Sequence, residues 1–404
     1  MGSLSPCANR KPLHEVMPPL VLGTATFNSQ YVSDPLNPEV LPAVSIVSRT
    51  LELGINAFDT SPYYGPSETI LGDALAHPSN AQYPRSSYFL VTKAGRIAGN
   101  EFDYSPSWVR YSVYRSLERL HTTYLDLVYM HDVEFVSPDE VLEAVGELRR
   151  LRDEGVIRYV GISGYPVDQL CALAEMLLEK TGEPLDAVLS YSHFTIQNTT
   201  LGTSAVQRFT QAGVDVVLNA SMLGMGLLTT RGADAGPMAV WHPSPSGLRG
   251  AIKDLVSVAQ AADEKLEVVA IRWALDTWAR DGSTRGVSSS WLPEGTRVGV
   301  SVMGVANVAE LEETWRVFRS VLEGYNAQPS GPGMVEAHEW SLNRRKKIQG
   351  LVEKMWEVLG DWKDYSWSSP EPGFVNTRRK EDKGVVPKND SIFEKYFKRQ
   401  GLPN

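Results

Sequence analysis

The chain is poor in cysteine and has no long apolar run. Its 404 residues include only two cysteines, Cys7 and Cys171, which excludes a disulfide framework and a cysteine-rich metal site. No apolar run approaches the roughly 18 residues that mark a transmembrane helix. The N-terminal residues lack the apolar segment of a secretory signal, and the C-terminal residues match no targeting motif. We therefore expect a cytoplasmic protein without a membrane partner.

Positive charge is also scarce. The chain has 39 Lys and Arg against 48 Asp and Glu, which gives a net charge of −9. An acidic surface repels nucleic-acid phosphates, so we expect no nucleic-acid partner. Residues 374–404 are the exception, because they hold eight basic and only four acidic side chains.

A glycine-rich dinucleotide fingerprint is missing as well. No Gly-x-Gly-x-x-Gly follows any apolar run, which argues against a doubly wound sheet that binds a dinucleotide. The chain has instead short, nearly continuous apolar runs, which are typical of strands covered on both faces. There are eight of them: Leu20–Thr24, Ile55–Asp59, Tyr88–Thr92, Leu125–Met130, Tyr159–Ser163, Ala187–Ser190, Val214–Asn219 and Arg297–Met303.

Amphipathic helical stretches alternate with these runs. One of them opens with Ser137 and Glu140 at the spacing of a capping box. Eight alternating units predict an α/β protein with a (β/α)8 TIM barrel over residues 19–323. Residues 1–18 then form an N-terminal tail. Residues 324–404 form a C-terminal extension that is helical over 336–361 and irregular after it.

Ionisable side chains end three successive runs. Asp59 ends the second run, Lys93 follows the third and His131 follows the fourth, while Tyr64 lies in the loop after the second. In a barrel these ends meet at one mouth. A lysine ammonium close to a tyrosine favours the phenolate and lowers its pKa. We therefore predict that Tyr64 is a general acid/base tuned by Lys93 and Asp59, and that His131 positions a carbonyl or hydroxyl.

This chemistry needs no metal, but hydride transfer needs a cofactor. Taken singly, each of the four residues also fits a structural role, such as a turn residue, a packed aromatic, an exposed charge or a buried histidine. Their placement at corresponding ends of consecutive units favours catalysis.

The same residues resemble the Asp-Tyr-Lys-His tetrad of the aldo-keto reductase family. The resemblance rests on Asp59-Thr-Ser-Pro-Tyr-Tyr64-Gly, Thr92-Lys93, Met130-His131 and Gly161-Ile-Ser163. It implies a barrel that holds a nicotinamide cofactor in extended form across its mouth, with Tyr64, Asp59, Lys93 and His131 as catalytic residues.

The resemblance also implies a set of cofactor-binding residues. Ser163 matches a serine that holds the carboxamide, but Gly164 replaces the asparagine that usually follows. Ser190 stands near a position where the family has glutamine. The full set is Gly23, Thr24, Ser163, Ser190, Ser221, Leu223, Gly224, Gly304, Val305, Glu310 and Glu313.

The position of Glu310 predicts the choice of cofactor. NADP-using members of the family have an arginine there, which binds the 2′-phosphate. A carboxylate repels that phosphate but accepts a hydrogen bond from a free ribose hydroxyl. We therefore expect NAD rather than NADP. The alternative is that Glu310 only begins a helix, where an acidic side chain is favourable.

The segments 161–166, 189–194 and 219–228 resemble the sugar dehydrogenases of the family that act on D-arabinose or L-galactose. This implies oxidation of the anomeric hydroxyl of a free aldose to the aldonolactone, by a monomer or weak homo-oligomer. His193 and Phe194 are candidate pocket residues, although His193 fits a packed barrel histidine equally well. The alternatives are a generic NAD(P)H-dependent aldehyde or ketone reductase, including pyridoxal or secondary-metabolite reduction, and a non-catalytic cofactor-binding regulatory subunit.

The basic C-terminal residues have two interpretations. They form either a solvated tail or a segment docked on the acidic barrel. Trp362, Trp367 and Phe374 are candidate anchors for docking.

Overall fold

Eight parallel strands close into a barrel at the centre of the molecule. The structure, a computed structural model, describes residues 10–325 and 331–397. Around the barrel the strands follow the order β1-β8-β7-β6-β5-β4-β3-β2, which confirms the predicted TIM barrel. Their bounds are β1 Leu20–Gly23, β2 Ala57–Asp59, β3 Phe89–Ala94, β4 Leu125–His131, β5 Ile157–Gly164, β6 Ala187–Tyr191, β7 Val216–Ala220 and β8 Val300–Gly304.

Helices cover the outside of the barrel. Their bounds are α1 Ala43–Glu52, α2 Ser67–Ala76, α3 Pro106–Arg119, α4 Pro138–Asp153, α5 Val167–Thr181, α6 Ser204–Gln211, α7 Ser246–Gln260, α8 Leu266–Asp281, α9 Val308–Glu323 and α10 Pro332–Leu359. The capping box predicted from Ser137 and Glu140 is confirmed at the start of α4. Within residues 10–325 and 331–397, no helix is both long and apolar enough to cross a membrane.

The core has an inner and an outer layer. Val21, Leu127 and Leu218 point into the barrel, while neighbours such as Leu20 and Leu22 pack outward under the helices. Both faces of each strand are therefore buried, which explains why the runs in the sequence are continuous rather than alternating. The N-terminal segment closes the lower end of the barrel, since buried Leu13 and Met17 join the inner layer.

The predicted eighth strand is wrong at its start. Arg297–Val298 leaves the barrel and pairs antiparallel with Val287–Ser288, and the barrel strand begins only at Val300. The break falls at Gly299, where a Cβ atom would overlap the carbonyl oxygen of Trp278 on α8. Close packing against a helix thus interrupts a run that the sequence alone presents as one strand.

The C-terminal extension packs on the barrel. Helix α10 lies against α7, α8 and α9. Asp364 then accepts hydrogen bonds from the backbone and hydroxyl of Thr199, at 2.7 and 2.9 Å. Phe374 contacts the rings of Phe102 and Phe135. The chain after α10 therefore runs over the face of the barrel where the strands end.

Candidate active site

Strand direction brings the four predicted catalytic residues together. Asp59 ends β2, Lys93 lies one residue before the end of β3, and His131 ends β4. Tyr64 lies in the loop after β2, where its backbone N–H donates to Ser61 O at 3.1 Å. Pro62 is the second residue of that turn, a position that its fixed φ favours. The turn places the Tyr64 ring 5.6 Å from the His131 ring, between ring centres.

Lys93 and Asp59 form a buried ion pair at the base of this cluster. Lys93 Nζ donates to Asp59 Oδ1 at 2.6 Å and to Thr60 O at 2.9 Å. Both side chains are almost fully buried, at 2% and 6% exposed. The ammonium lies 4.8 Å from the centre of the Tyr64 ring. Because an unpaired charge is costly in such surroundings, each partner holds the other in place.

The pKa of Tyr64 corrects one expectation. Burial, followed by the negative charges of Asp59 and Asp132, raises this pKa well above its ordinary value of 10.0. The net shift is upward and not downward as the sequence predicts, because burial is the largest contribution and the nearby Lys93 ammonium is itself paired with Asp59. The Tyr64 hydroxyl is therefore protonated at neutral pH and is ready to donate a hydrogen bond.

His131 is neutral and held in a defined orientation. Burial lowers its pKa to about 3, so it does not carry a charge near neutral pH. Its Nδ1 lies 3.0 Å from Ser61 Oγ, and Ser61 Oγ also accepts from Tyr63 N at 3.1 Å. When the Ser61 hydroxyl donates a hydrogen bond to Nδ1, the neutral ring carries its N–H on Nε2, where it can donate to a substrate oxygen.

An arginine and an aspartate complete the mouth. Arg96 Nη1 donates to Asp132 Oδ2, and the same Asp132 oxygen lies 3.6 Å from His131 Nε2. The Arg96 guanidinium lies 3.8 Å from the centre of the Tyr63 ring. Sequence reasoning missed this pair, although Asp132 directly follows His131 and Arg96 follows Lys93 by three residues. A charged residue of each sign, each within three residues of a predicted catalytic residue, is the signal that could have found this pair.

A glycine on β1 lies next to the cluster. Gly23 aligns with Asp59 and with Gly304 across the neighbouring strands. A Cβ atom at Gly23 would lie 2.9 Å from Val302 Cγ1, so a larger residue does not fit. Thr24 has a structural role, because its hydroxyl donates to Asp59 O at 3.1 Å and accepts from Ser67 Oγ at 2.7 Å.

Two polar side chains between β6 and β7 lack partners. Ser190 and Asn219 are neighbours in the sheet, and both are fully buried. Among the described residues, Ser190 Oγ and Asn219 Oδ1 have no hydrogen-bond partner. Both side chains point outward under the helices, since their strand neighbours Leu189 and Leu218 lie in the inner layer. Ser163, by contrast, donates to Met130 O at 3.3 Å.

Position 164 is a glycine for a packing reason that the sequence does not show. A Cβ atom there would overlap Glu134 Oε2. Glu134 Oε1 accepts from Tyr165 N at 3.1 Å and from Ser369 Oγ at 2.9 Å. Burial, followed by the charge of Asp132, raises the pKa of Glu134 to about 8. Glu134 thus occupies space beside the position where the family has asparagine.

The loop after β7 has an unusual backbone. Ser221, Gly224 and Gly226 all have positive φ, at 57°, 57° and 93°. His242, from the long loop over residues 229–248, braces this segment by donating from Nε2 to Gly224 O at 2.9 Å. Leu223 packs on the outer core. Met225 also has a positive φ, at 56°. The loop is thus a tight turn at the mouth, and the small residues Ser221, Gly224 and Gly226 suit a close approach to phosphate.

Glu310 lies in the first turn of α9 and helps Asn307 to cap the start of the helix. Its backbone N–H donates to Asn307 Oδ1 at 2.9 Å, and its carboxylate accepts from Ala306 N at 2.8 Å and Asn307 Nδ2 at 2.9 Å. Glu310 is exposed, as is Glu313 one turn later. Val305 is buried, and its carbonyl accepts from Thr26 Oγ1 at 2.6 Å. Glu310 therefore has the capping role that the alternative interpretation gives it. Its carboxylate is exposed at the edge of the mouth.

The C-terminal extension forms part of the rim. Trp367 stacks on Tyr165, with 4.8 Å between ring centres, and contacts the His242 ring edge-on at 5.6 Å. His193 Nε2 lies 3.2 Å from Ser366 Oγ, and burial lowers the pKa of His193 to about 4. His193 is therefore a neutral anchor for the extension. Phe194 packs under α8 against two tryptophans and is not a pocket residue.

A separate cavity lies at the opposite end of the barrel. Its volume is about 540 Å³, and its lining includes Arg10, Asp126, Arg158 and Tyr159. These residues come from the N-terminal segment and the beginnings of strands. No predicted catalytic residue lines it.

Comparisons with known proteins show which family the chain belongs to. Residues 19–328 match the profile of the Aldo/keto reductase family. D-arabinose 1-dehydrogenase from Saccharomyces cerevisiae is 44% identical over 274 residues, 67% of this chain and 79% of that protein. L-galactose dehydrogenase from Arabidopsis thaliana is 36% identical, with the same coverage of both chains. A glycerol dehydrogenase structure from Gluconobacter oxydans shares the fold, with a TM-score of 0.56 at 19% identity over 91% of this chain and 98% of that one.

Proposed function

Because the chain belongs to the aldo/keto reductase family, we propose that it oxidises the anomeric hydroxyl of a free aldose to the aldonolactone, with NAD as the oxidant. The aldose is of the D-arabinose or L-galactose type. Two relatives named for these sugars support the substrate class. The observation that carries the proposal is the buried Lys93–Asp59 ion pair beneath Tyr64.

In this reaction the anomeric carbon loses a hydride and its hydroxyl loses a proton, which leaves the lactone carbonyl. When bound, NAD supplies the hydride acceptor and a cationic ring. Tyr64 first loses its own proton to solvent, and the Lys93 ammonium stabilises the phenolate that this leaves. The phenolate then takes the hydroxyl proton of the sugar and becomes a phenol again. Asp59 holds Lys93 in place. His131, which is neutral, donates a hydrogen bond to the anomeric oxygen and positions it.

The chain offers residues that suit a nicotinamide cofactor. Gly23 and Ser190 are assigned to it because of the resemblance in sequence. The turn from Ser221 to Gly226 suits the pyrophosphate. We assign Ser163, Gly304 and Glu313 to the same cofactor surface because of the resemblance in sequence.

The test of the mechanism is the Tyr64→Phe variant. We expect kcat for aldose oxidation to fall by about 100- to 10,000-fold, since the ring stays but the proton acceptor is lost. Formation of NADH measures the rate. Tyr124→Phe is the matched control, because Tyr124 lies beside Arg158 at the other end of the barrel. Full activity of Tyr64→Phe would rule the mechanism out.

We further propose that NAD is preferred over NADP. The exposed Glu310 carboxylate adds negative charge at the start of α9. It stands where NADP-using members of the family have an arginine. Two unit charges about 4 Å apart in water interact by about 1 kcal/mol, so Glu310→Gln should raise kcat/KM for NADP by roughly fivefold. Glu140→Gln is the control, because Glu140 caps α4 in the same way. A wild-type preference for NADP would contradict this proposal.

The second candidate is an aldehyde or ketone reductase. One observation favours it: the raised pKa of Tyr64 keeps its hydroxyl protonated, as a proton donor to a carbonyl requires. Initial rates with aldoses and NAD, compared with those of simple aldehydes and NADH, decide between the two. A kcat/KM that is higher for simple aldehydes favours the reductase.

A further inference from the structure

We propose that the Arg96–Asp132 ion pair recognises a hydroxyl of the substrate other than the one that reacts. The pair then makes the enzyme selective for hydroxyl-rich substrates, such as sugars, over simple aldehydes and alcohols. This inference rests on the proposed sugar oxidation and adds to it the residues that select the substrate.

The pair is in the right place for this role. Asp132 directly follows His131, and its Oδ2 lies 3.6 Å from His131 Nε2. Arg96 follows Lys93 by three residues and lies over the ring of Tyr63, the neighbour of Tyr64. A sugar whose anomeric oxygen contacts Tyr64 and His131 therefore has its other hydroxyls within a few ångströms of the pair.

The pair also has hydrogen-bonding capacity to spare. Among the described residues, Arg96 donates to Asp132 and to Gly99 O at 3.1 Å. Its Nε is buried without an acceptor, and 15% of its side chain is exposed. A guanidinium has five N–H groups, so donors remain. An arginine and a carboxylate side by side offer a donor and an acceptor, which is what a hydroxyl group needs.

The local backbone at Asp132 is strained. Its φ is 55°, in the left-handed region that residues other than glycine seldom adopt. Such conformations are concentrated at functional sites. Asp132 is also 2% exposed, so the fold keeps a strained, buried charge beside the reacting groups. Stability alone does not account for this choice, because apolar residues can replace a buried pair without loss.

Aromatic rings hold the guanidinium in a fixed position. Besides Tyr63, Phe102 and Phe135 lie 5.3 and 5.4 Å from it. Phe374, from the C-terminal extension, contacts Phe135 edge-on at 4.9 Å. A rigid, ordered donor discriminates better than a mobile one, because no ordering cost is added on binding.

The test compares an aldose with its monodeoxy analogues, each lacking one hydroxyl. Arg96→Met leaves Asp132 unpaired beside His131, so the double variant Arg96→Met/Asp132→Asn, which has no net change in charge, is measured as well. Arg158→Met is the matched control, because Arg158 pairs with the equally buried Asp126 and stacks on Tyr124 at the other end of the barrel.

In the wild type we expect the loss of one particular hydroxyl to lower kcat/KM by about 10- to 100-fold, mainly through KM, as for a hydrogen bond to a charged group. In both Arg96 variants that same deoxy analogue should react as well as the parent sugar. The Arg158→Met control should discriminate like the wild type.

Two other results have distinct meanings. If the effects of each missing hydroxyl and of the double substitution simply multiply, the pair does not contact the sugar and this inference is wrong. If the wild type reduces simple aldehydes but oxidises no aldose, the proposed function itself fails, and the inference fails with it.

Discussion

Glu134 is the residue whose titration should be easiest to detect. Burial raises its pKa from the ordinary value of 4.5 to about 8, so the folded protein keeps its proton at neutral pH while the unfolded chain loses it. Between these two values the folded state binds more protons. The free energy of unfolding must therefore fall as the pH rises from about 4.5 to about 8, and it is level above that.

The magnitude follows from the two pKa values. One pKa unit corresponds to about 1.4 kcal/mol, so the full effect is at most about 5 kcal/mol. Glu134→Gln replaces the protonated carboxyl by an amide of the same shape, which does not titrate. Its Oε1 can still accept from Tyr165 N and Ser369 Oγ. We expect equal stability of the variant and wild type near pH 4.5, and a more stable variant above pH 8.

Denaturant unfolding of both proteins across this pH range measures the difference. Asp132, whose charge acts on Glu134, has a lowered pKa and stays ionised over this range, so the difference isolates Glu134. Glu264→Gln is the control of opposite sign, because hydrogen bonds from Arg344, and then from Lys347, lower the pKa of Glu264 to about 2. That variant should be less stable by a constant amount above pH 4.5. A constant difference for Glu134→Gln over the whole range would refute the reasoning.

Two further predictions concern the same region. Gly164→Ala should destabilise the protein by about 1–3 kcal/mol in denaturant unfolding, because the new Cβ overlaps Glu134 Oε2. Gly146→Ala, in α4 with no atom within 4 Å of its Cβ, should be stabilising by about 0.5–1 kcal/mol, and an equal loss in both would contradict this account. Asp59→Asn should cost about 3–5 kcal/mol, since it leaves the buried Lys93 ammonium without its carboxylate. An unchanged unfolding midpoint for Asp59→Asn would show that Lys93 does not depend on its partner.

The barrel is predictable because its signals are local. Each strand is buried on both faces, so short apolar runs mark the strands without any knowledge of their neighbours. The exception is the run Arg297–Met303. Its interruption at Gly299 comes from contact with Trp278 on another element, and a run of residue types does not contain that information.

The site divides in the same way. Asp59, Lys93 and His131 are predictable as neighbours because parallel strands place their ends at one mouth. Arg96 and Asp132 stand beside them in the sequence, but what matters about them is an ion pair between two loops. The roles of His242 and Trp367 depend on segments far apart in the chain that meet only after folding. The catalytic roles, and the preference for NAD, stay predictions.

The sequence by itself therefore determines the barrel, the end of it where the predicted catalytic residues gather and the residue types found there. These follow from burial patterns and strand direction, which nearby residues set. Only the tertiary structure decides the electrostatics of the mouth. It shows that Asp59 neutralises Lys93, and that burial together with Asp59 and Asp132 raises the pKa of Tyr64 instead of lowering it. The physical reason is that a pKa depends on the distances and burial of all the charges around a group, and those exist only once the chain is folded.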